Sequence, residues 1–417
     1  MSDTTPPPWV RNMPADVRTL TARWVFPASS PPFEDGTVTV RGDRIEAVEP
    51  RGVRSADEDL GNVALIPGLV NAHTHLDLSG ARGLIPPTDP DHFTDWLKGV
   101  IAYRRTRSEE QTLADIEAGL AECLKFGTTL IGDIASEGKS WDALRAANTR
   151  AICFYELIGL SEERANAAML RAREFVERVD QPHAVGVQST RLAFSPHAPY
   201  SVHTSLFADT GRLCREAKRP LAVHLAESFA EQNLVYRRRG PFVPFLKELG
   251  AFDRDGLAVG FDRVMELCDF QQSKLFVHCN YLASFARFPP NSTIVYCPRT
   301  HAAFGHPPHP FRDFLARGVR MCLGTDSLAS NPDLDILAEA RFVHAKYPDF
   351  PVEQLLKMVT LSGAEALGWA DECGSLEAGK SADVVAVPLA DVEGDPHELL
   401  FADTPGERRT LWRGEWR

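Results

Sequence analysis

The chain has 417 residues, 44% hydrophobic and 24% charged, an ordinary globular usage that excludes wholesale disorder and leaves room for one large domain and a smaller one. Its 45 basic and 57 acidic side chains leave a net charge of −12, which argues against a nucleic-acid footprint or attraction to anionic lipid and is silent on small-molecule substrates. No apolar run approaches the ~18 residues of a membrane-spanning helix, and the opening MSDTTPPPWVRNMPADVRTL lacks the apolar centre of a signal peptide. Eight cysteines without a Cys-x-x-Cys pair read as buried free thiols of a cytoplasmic protein.

Residues 1–15 are rich in Pro and polar side chains and are expected to be loose. From Thr19, TLTARWVF and GTVTVRGDRIEAVEP alternate apolar and polar side chains as half-exposed strands do. Comparable segments return only at the far end, as SADVVAVPL and RTLWRGEWR. Between the two ends, eight short apolar segments alternate with helical stretches: LIPGLVNAH, TTLIGDI, AICFYELIG, RLAFSPH, LAVHLAE, LFVHCN, TIVYCP and RMCLGTD. Ser108 to Phe126 is typical of the helices. It has a capping box at Ser108 and Gln111, a stop at Gly127, and an apolar face of Leu113, Ile116, Leu120, Cys123 and Leu124. These patterns predict an α/β protein, a (β/α)8 TIM barrel over 67–373 with a small β-sandwich domain built from 16–66 and 374–417.

Candidate chemistry gathers at the ends of the apolar segments. His73 and His75 leave the first segment two residues apart, so on a strand both imidazoles face the same way. His224, His278 and Asp326 stand at the exits of LAVHLAES, LFVHCN and RMCLGTDS, and in a parallel barrel all such exits open on one face, where active sites lie. Core polar groups have no reason to recur at that place. Three imidazoles and a carboxylate suit one divalent ion, Zn²⁺ first, with Fe²⁺ or Mn²⁺ also compatible. Such an ion makes water nucleophilic near neutral pH. The residues alone leave open which of the groups bind it directly. Glu227, three residues after His224, is placed to move a proton if it is not simply a loop glutamate. His197 ends the fourth segment and faces the same pocket. Arg104, Arg105 and Arg107 read as a solvated helix face, or as receivers of an anionic substrate group.

Other signals are weaker. Gly374 to Ser381 matches the phosphate-loop pattern literally, but a helical stretch precedes it and a strand follows, the reverse of what that loop requires, so a turn is expected. Cys297 and His301 lack a third group for thiol catalysis, and His306 and His309 read as decorations of a Pro-rich loop.

Taken together, LIPGLVNAHTHLD, HLAES, VHCN, LGTDS and GSLEAGKSADVVAV resemble the amidohydrolase superfamily, in its cytosine-deaminase-like and chlorohydrolase-like branch, over nearly the whole chain. The resemblance implies one metal held by His73, His75, His224 and Asp326. Glu227 is then the proton shuttle, His278 orients the attacking water, and Asp326 also accepts its proton. The fourth segment has no Lys, which implies a mononuclear site. SPHAPYS is similar to adenosine-type deaminases and implies that His197 contacts a purine. HTHLDLSG, CPRTHAAFGH and LGTDSLASNPDLDILAE look like the aminodeoxyfutalosine deaminases of menaquinone biosynthesis. Their substrate carries a benzoate that Arg104 or Arg105 would meet. Another purine or nucleoside deaminase, or a chlorohydrolase-like relative, is the alternative. Two departures stand out: no Glu follows Trp96 where relatives handle the ribose, and Cys297–His301 replaces a usual Cys-Pro-x-Ser-Asn. The implied partner is a small molecule, with a homo-oligomer also compatible.

Overall fold

The computed structural model describes residues 17–179 and 189–417; the segment expected to be loose, 1–15, lies outside them. Two compact units emerge, one of Leu69–Ala370, the other of the described residues up to Gly68 together with Asp371–Arg417.

The larger unit is a barrel of eight parallel strands: β1 (Leu69–Thr74), β2 (Thr128–Ser136), β3 (Arg150–Leu157), β4 (Thr190–Pro196), β5 (Leu221–Leu225), β6 (Lys274–His278), β7 (Ser292–Tyr296) and β8 (Arg320–Leu323), each hydrogen-bonded to the next. Apart from Arg191 and the partly exposed Ser136 and Arg320, every strand residue is buried, as expected of a parallel sheet covered on both faces. The ring closes through a parallel bridge between Thr74 and Asp326 and a bond from the Asp326 N–H to the His73 carbonyl (3.1 Å). Gly324 is needed at this seam, because a Cβ there would lie 2.7 Å from the His73 Cβ.

Helix α1 (Phe93–Thr106) and helix α2 (Glu109–Lys125) follow β1. The Ser108–Gln111 capping box forms reciprocally, at 3.2 and 3.0 Å. The buried face of α2 holds Ile116, Leu120 and Cys123 but not Leu113, which is 42% exposed; Asp115 is buried instead. Its carboxylate accepts bonds from Tyr103 Oη (2.6 Å) and Arg107 Nε (3.0 Å), so an ion pair takes the place that an apolar pattern assigns to leucine.

The smaller unit is a β-sandwich of a four-stranded and a six-stranded sheet. Val384–Pro388 pairs antiparallel with Val63–Pro67, so the sheet is stitched from both ends of the chain. Leu20, Val38, Val40, Leu65, Val384 and Leu411 fill the space between the layers. The first apolar segment is therefore two strands. Pro67 has no N–H to continue a ladder, Gly68 donates to the Asp383 carbonyl (2.9 Å), and the barrel begins at Leu69. Gly374–Ser381 is a turn before Val384, with Lys380 Nζ bonded to Ser375 Oγ (2.6 Å) and near Glu377 (3.1 Å). No helix of the described residues is long and apolar enough to cross a membrane.

Candidate active site

Four strand exits converge at one end of the barrel. His73 lies in β1 and His75 just beyond it, His224 near the end of β5, His278 at the end of β6, and Asp326 three residues past β8. Ligand atoms of His73, His75 and His224 lie within 4.8 Å of one another, as do those of Glu227, His278 and Asp326. Asp326 Oδ1 stands 3.7 Å from both His73 Nε2 and His75 Nε2.

Three observations fit this cluster to a cation. The His224 backbone N–H and Nδ1 both approach the His197 carbonyl, at 2.9 and 3.1 Å, so Nδ1 carries the hydrogen and Nε2 is a free lone pair. That nitrogen faces His75 Nε2 at 3.1 Å. Both ring nitrogens of His73 and the Nδ1 of His75 are buried with no hydrogen-bond partner among the described residues, a costly state unless something else is bound. Burial, with the neighbouring imidazoles, pushes His73 and His75 well below the usual range, and burial brings His224 down to about 4. Burial also lifts Asp326 to about 7 and, with Asp326 and Glu231 nearby, lifts Glu227 well above the carboxylate range. Neutral imidazoles offer lone pairs, and a bound cation would offset the cost of ionising the carboxylates they face.

Glu227 is delivered by a bent strand exit. Ala226 takes φ +53, and the buried Glu231 carboxylate accepts from the N–H of Ala226 (3.2 Å) and of Glu227 (2.8 Å). Glu227 Oε1 then lies 3.4 Å from His278 Nε2. His278 and Asp326 also have positive φ, +68 and +60. Sparsely populated backbone at several strand exits is the usual mark of a working site.

A pocket of about 380 Å³ opens from these groups. Its walls include Trp96, Val100, Leu160, Tyr200, Phe245 and Leu246, and His197 lines it with Nδ1 2.7 Å from Ser201 Oγ. Arg104 and Arg105 both border the pocket, in different states. Arg104 is committed: Nε lies 2.9 Å from Asp77 Oδ2, Nη2 3.2 Å from Asp77 Oδ1 and Nη1 3.6 Å from Glu156 Oε2. Arg105 is exposed and makes no ion pair among the described residues, and the same holds for Arg164, also at the pocket. Arg107 is taken up by Asp115.

The Asp77–Arg104–Glu156 cluster leads to a test. Arg104→Met strips two buried carboxylates of their counter-ion and should destabilise the fold by about 3 kcal/mol, as breaking buried pairs does. Arg105→Ala should stay within ~0.5 kcal/mol of the parent. Urea denaturation of both variants checks this; equal stabilities would show that the buried cluster carries no such weight.

Sequence reasoning missed Asp77, Glu156, Arg164 and Glu231. A signal existed for Glu231, four residues after Glu227 and so one turn further along helix Phe229–Arg237. His306 and His309 lie in a loop as expected, but they do not decorate it, since both are buried together with His301. Burial lowers His301 to about 4 and His306 and His309 to about 3. A histidine depressed below its unfolded value of 6.5 gives its full stability above pH 6.5 and loses it as pH falls toward the folded value. Stability should therefore drop between pH 6.5 and 4. His306→Gln should flatten that slope by about one proton, ~1.4 kcal/mol per pH unit, read from denaturation curves across the window. An unchanged slope would contradict the burial of His306. Cys297 is an inert thiol, pushed well above its usual range by burial.

A strand-exit cluster of imidazoles and carboxylates beneath a mostly apolar pocket defines a metal-dependent hydrolase of the barrel type. The chain belongs to the amidohydrolase family, whose model matches residues 64–405, and it is a hydrolase acting on carbon–nitrogen bonds. It is 28% identical over 384 residues to a 5-methylthioadenosine/S-adenosylhomocysteine deaminase of Moorella thermoacetica, covering 88% of this chain and 84% of that one. Among solved structures, Helicobacter pylori aminofutalosine deaminase in complex with methylthio-coformycin superposes with a TM-score of 0.82 at 22% identity, over 96% of this chain and 100% of that one. A Xanthomonas campestris adenosine deaminase with bound zinc superposes with a TM-score of 0.74 at 25% identity, over 95% and 92%.

Proposed function

We propose that the protein deaminates the adenine ring of a nucleoside that bears an anionic aryl group, 6-aminodeoxyfutalosine of menaquinone biosynthesis being the substrate that fits best. His73, His75, His224 and Asp326 would hold one divalent ion, zinc by the preference of such a donor set. When bound, that ion supplies the Lewis acidity that makes water nucleophilic at neutral pH. The side chains do the rest. His278 and Asp326 orient the water against C6 of the purine, and Asp326 takes its proton. Glu227 protonates a ring nitrogen as C6 becomes tetrahedral; the new C6 hydroxyl then returns a proton to Glu227 while the exocyclic amine takes the proton held by Asp326 and leaves as ammonia, giving the 6-oxo product. His197 contacts the purine from the pocket wall.

The observation that carries the substrate is the pocket's charge pattern. Beyond the base-binding end, its walls are apolar, and two unpaired arginines, Arg105 and Arg164, border it. Its only acidic lining residues among those described are Glu227 and Asp326, both at the ligand cluster. A benzoate suits a pocket with arginines at its border. The amino-acid tail of S-adenosylhomocysteine adds an ammonium that would find no carboxylate there, and methylthioadenosine would leave both arginines idle. The likeness to the Moorella deaminase favours those substrates as the second reading.

Ammonia release by the zinc-loaded protein, measured on 6-aminodeoxyfutalosine, adenosine, methylthioadenosine and S-adenosylhomocysteine, tests the proposal. A clear preference for the benzoate compound, lost through a KM raised about tenfold or more in Arg105→Ala with Arg164→Ala, is the expected result. Preference for another of the four would reassign the substrate, and silence on all would overturn the deaminase reading. The eight cysteines, all buried and none in a disulfide, support a cytoplasmic setting.

A further inference from the structure

His309 has no evident reason to be where it is. It sits in Gly305–Pro310, between Pro308 and Pro310, and its ring is buried. It lies face to face with Tyr296 (4.2 Å between centroids, 28° between planes) and edge-on to Phe314, so its orientation is fixed by packing. Nδ1 is buried without a hydrogen-bond partner among the described residues. The ring makes one hydrogen bond, from Nε2 to the His278 carbonyl oxygen at 2.8 Å. A carbonyl only accepts, so Nε2 carries the hydrogen.

The accepting carbonyl belongs to an unusual joint. His278 and Cys279 are consecutive non-glycine residues with positive φ, +68 and +57, a conformation that L-residues avoid and that persists only where surrounding contacts over-determine it. The Cys279 N–H is shared between the Leu225 carbonyl at 2.9 Å and the Val277 carbonyl at 3.0 Å, the Cys279 carbonyl accepts from the Leu282 N–H at 3.2 Å, and the Tyr281 N–H bonds the Ala226 carbonyl at 2.9 Å. The carbonyl of His278 itself is held by a side chain, that of His309.

We propose that His309 is a positioning residue that locks the left-handed exit of β6 and thereby aims the His278 imidazole at Glu227. Without that donor the His278–Cys279 joint relaxes toward ordinary φ and the imidazole turns away from Glu227. A Gln at 309 places its amide N–H about where Nε2 now lies, whereas Asn is too short to reach the carbonyl and Leu has no donor. The kinetic arm of the test rests on the deaminase reading above; the structural arm does not.

The experiment uses the full-length zinc-loaded protein with His309→Gln, His309→Asn and His309→Leu, measuring kcat and KM for ammonia release, metal content and melting temperature, with a crystal structure of each. In Asn and Leu, kcat should fall about a hundredfold, as misplacement of about 1 Å does, at near-parental KM and unchanged metal, with His278 at negative φ. Gln should stay within about threefold of the parent and keep His278 left-handed. The comparison of Gln with Asn stands even if the Leu variant fails to fold. Parental kcat in the folded Asn variant, a Gln variant as impaired as Asn, or a left-handed His278 in the Asn crystal would each overturn the proposal. If the parent itself releases no ammonia from any adenosine compound, the deaminase reading fails, and the φ of His278 in the Gln and Asn crystals still decides this one.

Discussion

Glu227→Gln should reduce kcat for ammonia release by about 10³-fold or more, within the range that a positioned general acid–base supplies, while bound metal stays at the parental stoichiometry. The substitution keeps the size of the side chain and its hydrogen-bonding reach, so the Ala226 bend and the Glu231 clamp on the two backbone amides have no reason to open. What it removes is the ability to carry a proton. The site makes that ability useful. Burial beside Asp326 and Glu231 makes the ionised form expensive, which favours the protonated form that a proton donor needs. KM should change little, since a group that acts only as bonds rearrange contributes to kcat rather than to ground-state binding. Steady-state kinetics with metal analysis of the same sample make the check; parental turnover would remove Glu227 from the proton path.

His73→Ala should have the second large effect, on metal content first and activity as a consequence. Both ring nitrogens of His73 lack a hydrogen-bond partner among the described residues, and its pKa lies well below the usual range because it is buried among other imidazoles. A buried polar ring with nothing to bond is tolerable when a cation completes it. Truncation to Ala removes one of the four donors and the geometry they share, so His75, His224 and Asp326 would hold a divalent ion more weakly. Bound zinc should fall well below one per chain and kcat with it. Because a ligand of the native state stabilises it by mass action, the parent should lose melting temperature on chelation and the variant should lose little. Unchanged zinc stoichiometry would contradict the ligand assignment.

Most of the barrel and the centre of the site were legible in the sequence because both are written in local patterns. A buried parallel strand is a short apolar run, and a functional side chain at its exit is the first polar residue after the run, as at His224 and His278, or close behind it, as at Asp326. The Ser108–Gln111 capping box was legible for the same reason. What escaped depended on partners distant in the chain. Nothing near Arg104 announces that Asp77 and Glu156 neutralise it, so it read as equivalent to Arg105. Leu113 and Asp115 exchanged their expected places through Arg107 and Tyr103. The division of LIPGLVNAH at Gly68 is decided by Asp383, far along the chain. His309 was hidden most completely, since its role lies in a bond to a backbone atom, which no side-chain pattern encodes.

The seam between β1 and β8 has a consequence for how the protein comes into being. His73 and Asp326 meet only because the last barrel strand returns to the first, through the Thr74–Asp326 bridge and the bond from the Asp326 N–H to the His73 carbonyl. During synthesis the chain emerges with His73 and His75 exposed long before Asp326 exists. Under the proposed ligand set, a chain that ends before β8 has His73, His75 and His224 but lacks the Asp326 carboxylate, so it would hold the ion less tightly than the complete ring. With those ligands, tight retention would report that the ring has been completed, and the ion would in turn tie the closing strand to the first. Metal uptake would thus be a late event in maturation, and a cell short of metal would accumulate barrels whose last seam still breathes open.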